Sequence, residues 1–206
     1  MERMDRARRV GGLLWIGAGL VFGAAWAIAG RSTPGVITLV LVAAALALAA
    51  VLVFRTPPRV VAGAGRVVAV LLAADFAGAV ADRFGVFGPP GAAGVSWGDW
   101  ADFVAYTGVL LHGVPGPVAA VTAIGATAAE IALALLLVTG WQRRWVGKGA
   151  AGLLSCYLLA MATSVGWDDV ARYALPVEIG AALLVTVCPP QRVGRAAIVV
   201  TAAGGR

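Results

Sequence analysis

The chain has 206 residues, 61% hydrophobic and only 13% charged, with a net charge of +6 and a mean hydropathy of +0.91. A soluble domain carries roughly 25% charge, and a body this small cannot hide so much apolar surface from water, which excludes an ordinary aqueous globule. The same composition excludes disorder, and glycines without a three-residue period exclude collagen. An all-α polytopic membrane bundle remains, with the lipid bilayer as its first partner, and the basic balance is then read against a membrane rather than a nucleic acid.

A bilayer core about 30 Å thick takes about 20 apolar helical residues per crossing. Six segments qualify: Val10–Gly30, Val36–Phe54, Ala62 or Val67–Phe84 with Asp75 inside, Pro117–Thr139 with Glu130, Gly149–Gly166, and Arg172–Cys188 with Pro176 and Glu178. Residues 1–54 read as an N-terminal transmembrane hairpin, 60–190 as a four-helix core, and 191–206 as a tail. The start of the chain also resembles a secretory signal peptide, but its apolar run exceeds the usual 7–15 residues, so a retained helix is expected.

With the N-terminus inside, thirteen of the sixteen basic residues fall on inner segments, leaving Arg31, Arg83 and Arg172 outside. That bias predicts six spans with both termini cytoplasmic in a cell membrane. Trp97, Trp100, Trp141, Trp145 and Trp167 fall at expected span ends, as interfacial rings do.

Residues 85–116 form the longest segment between spans. Gly85, Gly88, Pro89, Pro90, Gly91 and Gly94 predict a loop, and Ser96 with Asp99 resembles a capping box. Trp100, Phe103, Val104, Thr107, Leu110 and Leu111 then repeat at helical spacing, with Asp99 and Asp102 towards water. This helix is either an interfacial anchor or a lid over a site between the spans.

The chemistry rests on three carboxyls at membrane depth, Asp75, Glu130 and Glu178. Such groups usually face the bundle interior. No Lys or Arg lies inside a span near them; Arg66 is nine residues from Asp75, or about 13 Å along a helix. At least one of the three is therefore expected to carry a proton. Asp82, two turns beyond Asp75, would extend an acidic track to the outer surface. The alternatives are that these acids fix helix packing through hydroxyls such as Thr127 or Tyr157, that they handle protons, or that they bind a cation or substrate.

Cys156 and Cys188 lie at different depths, so no disulfide is expected. A single histidine, His112, makes zinc improbable. Gly63-Ala64-Gly65 suits close helix packing, and Pro176 predicts a kink beside Glu178.

The run Asp82-Arg83-Phe84-Gly85-Val86-Phe87-Gly88-Pro89-Pro90-Gly91, then Gly94-Val95-Ser96-Trp97-Gly98-Asp99-Trp100, Phe103 and Tyr106-Thr107, resembles the DoxX-like family of small membrane proteins. Ala129-Glu130-Ile131 and the Leu-rich run after it are similar to that family's acid-bearing helix. The likeness spans about residues 60–190; the N-terminal hairpin lies outside it, and Gly-Val-Leu-Leu-His follows Tyr106-Thr107 where an Asn-Pro-like break is expected. The resemblance implies a four-helix core in an accessory or electron-transfer subunit of a quinone-linked redox complex, with a soluble or membrane oxidoreductase as partner. Quinone is the implied cofactor, and a homo-oligomer is a further expectation. Asp75, Glu130 and Tyr157 are the candidate proton-handling residues. Asp82, Trp97, Asp99, Tyr106 and Glu178 are the candidate ligand contacts. A proton-coupled transporter and a non-catalytic scaffold are the competing readings of the same acids.

Overall fold

The computed structural model describes residues 2–31, 34–54 and 56–189, and among these the regular structure is entirely helical. Eight helices follow in order: α1 (Glu2–Ile28), α2 (Val36–Val53), α3 (Pro58–Arg83), α4 (Trp100–Leu110), α5 (Gly116–Thr139), α6 (Arg143–Ser164), α7 (Trp167–Arg172) and α8 (Leu175–Val185). The expected tail at 191–206 lies outside the described residues.

Five helices, α1, α2, α3, α5 and α6, are long and apolar enough to cross a membrane. Their outward faces are apolar as well: Leu14, Val21, Val36, Val121 and Leu135 are each more than 60% exposed. A surface of that kind fits lipid rather than water. Proline marks the starts of α3 and α5, where a missing N–H costs nothing. Gly140, at φ +71°, ends α5 in the left-handed region that its lack of a side chain permits.

The expected sixth span, Arg172–Cys188, holds only the short helix α8, and α7 ends where that span was expected to begin. Ala174 turns left-handed at φ +50°, α7 stops, and Pro176 sits in the first turn of α8. Proline lacks the N–H that a continuous helix needs there, so the chain restarts instead of bending. Alone, the 11 residues of α8 reach about 16 Å. Glu178 consequently lies in the first turn of α8, not two turns into a span.

This short helix is the axis of the molecule. Every residue from Leu175 to Ala182 is buried, as are Leu184 and Val185, and α1, α2, α3 and α6 pack around it. Glycines allow the close approach. A Cβ on Gly180 would lie 2.6 Å from the Gly12 carbonyl oxygen and 2.7 Å from Ile16 Cγ1. Gly19 faces Val177, Gly147 faces Thr186 and Ala182, and Gly65 faces Cys188 at similarly short range. Without a hydrophobic drive between helices in lipid, small residues that admit dense packing supply the association. The first two helices, expected to pair as a hairpin, touch each other little; each docks on α8.

Gly180→Ala is predicted to lower the thermal melting temperature of the detergent-solubilised chain, by an overpacking cost of about 1–3 kcal/mol. Gly152→Ala, whose new methyl meets nothing within 4 Å, is predicted to leave it unchanged or raise it, as measured by circular dichroism.

Candidate functional site

The last turn of α3 does two jobs. Asp82 is buried and accepts hydrogen bonds from the backbone N–H groups of Ser96 and Trp97, both at 3.0 Å. These bonds fold the Gly/Pro-rich loop back over the helix end, and Gly98, at φ +75° with a hypothetical Cβ only 2.4 Å from Pro90 N, completes the turn. Asp82 is therefore a loop anchor, not the outer end of an acidic track. Asp99 caps α4 by accepting from Asp102 N at 2.8 Å, and both aspartates are exposed. Ser96 is not the cap: its hydroxyl meets the Tyr173 hydroxyl at 3.1 Å.

Arg83, beside Asp82, turns inward. Its side chain is 2% exposed, and Nη2 lies 2.8 and 2.7 Å from the two Glu130 carboxylate oxygens. Nη1 donates to Thr127 Oγ1 at 2.8 Å. Thr127 and Glu130, three residues apart, occupy one face of α5 and so meet the same guanidinium. Phe103 of α4 covers that group at 3.8 Å, and Trp97 at 5.3 Å; contacts of this kind add to the binding of a desolvated cation. The Tyr157 hydroxyl of α6 donates to Glu130 Oε1 at 2.5 Å. The expectation that no cation reaches the membrane acids is thus overturned. A long side chain rooted at a helix end delivers its charge several ångströms away from its own Cα.

Asp75, Glu130 and Glu178 come from three different helices, α3, α5 and α8, and line one cavity of about 80 Å³ together with Arg83 and Tyr157. Tyr106 and Tyr173 close it on the side of α4 and α7. Glu178 is 3% exposed, and neither it nor Asp75 makes a side-chain hydrogen bond among the described residues. One guanidinium therefore faces three carboxyls, and it is committed to Glu130. Burial, with Asp169 and Tyr173 nearby, pushes the Tyr106 phenol up. Trp97 serves the site as a cover for Arg83 rather than as one of the interfacial rings. Trp141, Trp145 and Trp167 are each at least half exposed, as such rings are.

A second space adjoins the first. A groove of about 460 Å³ runs between α4, α5 and α6, lined by Phe103, Thr107, Leu110, Ala126, Ala129 and Tyr157 among others. It is almost wholly apolar and falls within the 300–1,000 Å³ typical of small-molecule sites. Tyr157 belongs to both spaces: its ring lines the groove and its hydroxyl reaches Glu130. Because α4 supplies walls to both, it acts as a cover over the site. Cys156 also lines the groove and Cys188 is buried elsewhere, both as free thiols; His112 is exposed at a turn.

Sequence reasoning named Thr127 as a packing hydroxyl, but it left Arg83 outside the site and gave Phe103 and Tyr173 no part in it. A signal for Arg83 exists: it follows Asp75 by eight residues on the same helix and precedes an aromatic-rich segment.

The fold and site define a class, a multi-pass helical membrane protein with a buried acid–arginine–tyrosine cluster. Comparison with known proteins gives no matching family model, no matching curated protein and no matching solved structure.

Arg83→Met is predicted to cost about 3–5 kcal/mol, since it strands the Glu130 carboxylate without a partner. Adding Glu130→Gln to Arg83→Met is predicted to recover much of that loss, as measured by thermal melting of the three proteins side by side.

Proposed function

We propose that this chain is a six-span protein of the cell membrane, with α7 and α8 together making the sixth crossing and both termini on the cytoplasmic side. In this reading it is an accessory or electron-transfer subunit of a quinone-linked redox complex, related to the DoxX-like proteins that its 82–107 segment resembles. The observation that carries the reading is Tyr157, whose ring borders an apolar groove while its hydroxyl contacts a buried carboxylate.

The groove suits the quinone class in two respects. Its walls accept a flat apolar ring, and one of them is Tyr157, whose hydroxyl is bonded to Glu130. A quinone bound there supplies a two-electron, two-proton couple, with electrons drawn from a partner oxidoreductase. The chain's own residues hold and move protons. Tyr157 holds one at Oη. Glu130, fixed by Arg83, whose other terminal nitrogen donates to Thr127, orients that hydroxyl. Asp75 and Glu178, which have no competing hydrogen bonds among the described residues, exchange protons with the cavity. Phe103 and Trp97 exclude water from above.

A proton-coupled carrier is the second reading, and the same two bare carboxyls favour it, because a coupling site needs groups that are free to change charge. The two separate by assay. As a redox subunit, the chain is expected to copurify with a quinone or an oxidoreductase. Asp75→Asn and Tyr157→Phe are then expected to lower quinone reduction by about a hundredfold or more, the usual contribution of a positioned proton donor, and Asp75→Asn is expected to do so without lowering the melting temperature. Proteoliposome uptake that follows a pH gradient and disappears in Asp75→Asn would instead establish the carrier. Loss of melting temperature with every activity intact would leave only a packing role for the acids.

A further inference from the structure

The opposite end of the bundle carries a second concentration of charge, of the other sign. A cavity of about 540 Å³ opens where α5 gives way to α6, lined by Gln142, Arg143, Arg144, Trp145, Thr186 and Cys188 among others. Two guanidiniums meet beside Gly140, a residue of the cavity wall, with Arg143 in the wall itself and Arg66 reaching in from α3 behind it. A Cβ built on Gly140 would lie 3.2 Å from Arg66 Nη1 and 3.2 Å from Arg143 Nε. Arg66 and Arg143 repel each other at this range, yet no carboxylate among the described residues pairs with either. Among the described residues Arg66 reaches only the carbonyl of Leu137, at 3.3 Å, and Arg143 Nη1 is buried with no hydrogen-bond partner.

The acid in the cavity wall does not answer this deficit. Asp5 is already held by Arg8 at 2.5 Å and by Arg144 at 2.7 Å. The N-terminus of α6 adds to the positive field, since Gln142 offers no side-chain cap to its first-turn N–H groups. Trp141 and Trp145, 59% and 68% exposed, flank the opening as interfacial rings do. Arg144 lines the cavity as well, and Lys148 sits over the Trp145 ring at 4.4 Å.

We propose that this cavity binds a phosphate group, with the Arg66 and Arg143 guanidiniums as its principal ligands and an anionic phospholipid headgroup as its natural source at this depth. Basic pockets between membrane helices on the cytoplasmic side take anionic headgroups by this chemistry, and planar guanidiniums match phosphate oxygens in pairs. The charge left unanswered among the described side chains is answered by the ligand.

The test is native mass spectrometry of the full chain in detergent with added phosphatidylglycerol or phosphatidylcholine, and with phosphatidylglycerol in competition with inorganic phosphate. Wild type is expected to retain phosphatidylglycerol about tenfold more than phosphatidylcholine, and R66Q and R143Q are each expected to lose that excess, as removal of a charged hydrogen bond implies. R31Q, at the other end of the bundle, is expected to behave as wild type. Displacement of the lipid by inorganic phosphate would show that the site takes the group from either source, and resistance to displacement would show that the lipid ester is required; both accord with the proposal. Equal retention of the two lipids overturns it, as does phosphatidylglycerol binding unchanged in R66Q and R143Q. Should the variants fail to fold, a wild-type melting temperature raised no more by phosphatidylglycerol than by phosphatidylcholine overturns it without them.

Discussion

Arg83 is withdrawn from the surface and spends its charge on Glu130, and much of the half of the molecule around α4 is arranged to make that possible. A guanidinium removed from water is costly unless its donors are met and its charge is opposed. Glu130 opposes the charge, Thr127 meets a second nitrogen, and Phe103 and Trp97 cover the planar face. None of these groups is near Arg83 in the chain. They arrive because Asp82 ties down the loop at Ser96 and Trp97, because Asp99 starts α4 just after it, and because α4 then lies across α5. The pair is weak evidence for stability as such. Its consequence is specificity: it fixes how α3, α4, α5 and α6 sit relative to one another and leaves Tyr157 with one orientation.

The other half of the architecture depends on small residues around a short central helix. α8 is too short to cross a bilayer alone, and it is buried on nearly every face by helices that approach it through glycine. Breaking the chain at Ala174 places Glu178 at the start of a helix, facing the cavity, rather than partway along a lipid-contacting rod. Discontinuous helices are tolerated where protein takes the place of lipid beside the irregular backbone, and here Tyr173 and Ala174 are half-buried while α8 beyond them is buried by α1, α2, α3 and α6. Three carboxyls from three helices thus share a cavity with a single arginine, an arrangement with unequal charges and little room for water.

Much of this was legible in the residues. Apolar length alone located α1, α2, α3, α5 and the body of α6, because the length of a membrane helix answers to the thickness of the bilayer. The 3.6-residue period of Trp100, Phe103, Thr107 and Leu110 located α4. That Asp75, Glu130 and Glu178 face inward followed from the cost of turning them to lipid. What the sequence hid was reach. Counting positions along a helix put Arg83 outside the membrane, but its side chain extends to Glu130, 47 positions away. Asp82 looked like a continuation of Asp75 because seven residues make two turns, yet its carboxylate is occupied by loop amides that no helical spacing reveals. Pro176 signalled a disturbance, and only the left-handed Ala174 before it turned the disturbance into a break.

The account stands most directly on where the Arg83 guanidinium rests in a bilayer. Solid-state NMR on uniformly ¹³C,¹⁵N-labelled chain in lipid reads this as a through-space contact between the guanidinium nitrogens of Arg83 and the carboxyl carbon of Glu130. With nitrogen–oxygen separations of 2.7 and 2.8 Å, a strong cross-peak is predicted, along with slow exchange of the guanidinium protons with water. A missing cross-peak, with Arg83 protons exchanging as freely as those of Arg31, would contradict the account at its root.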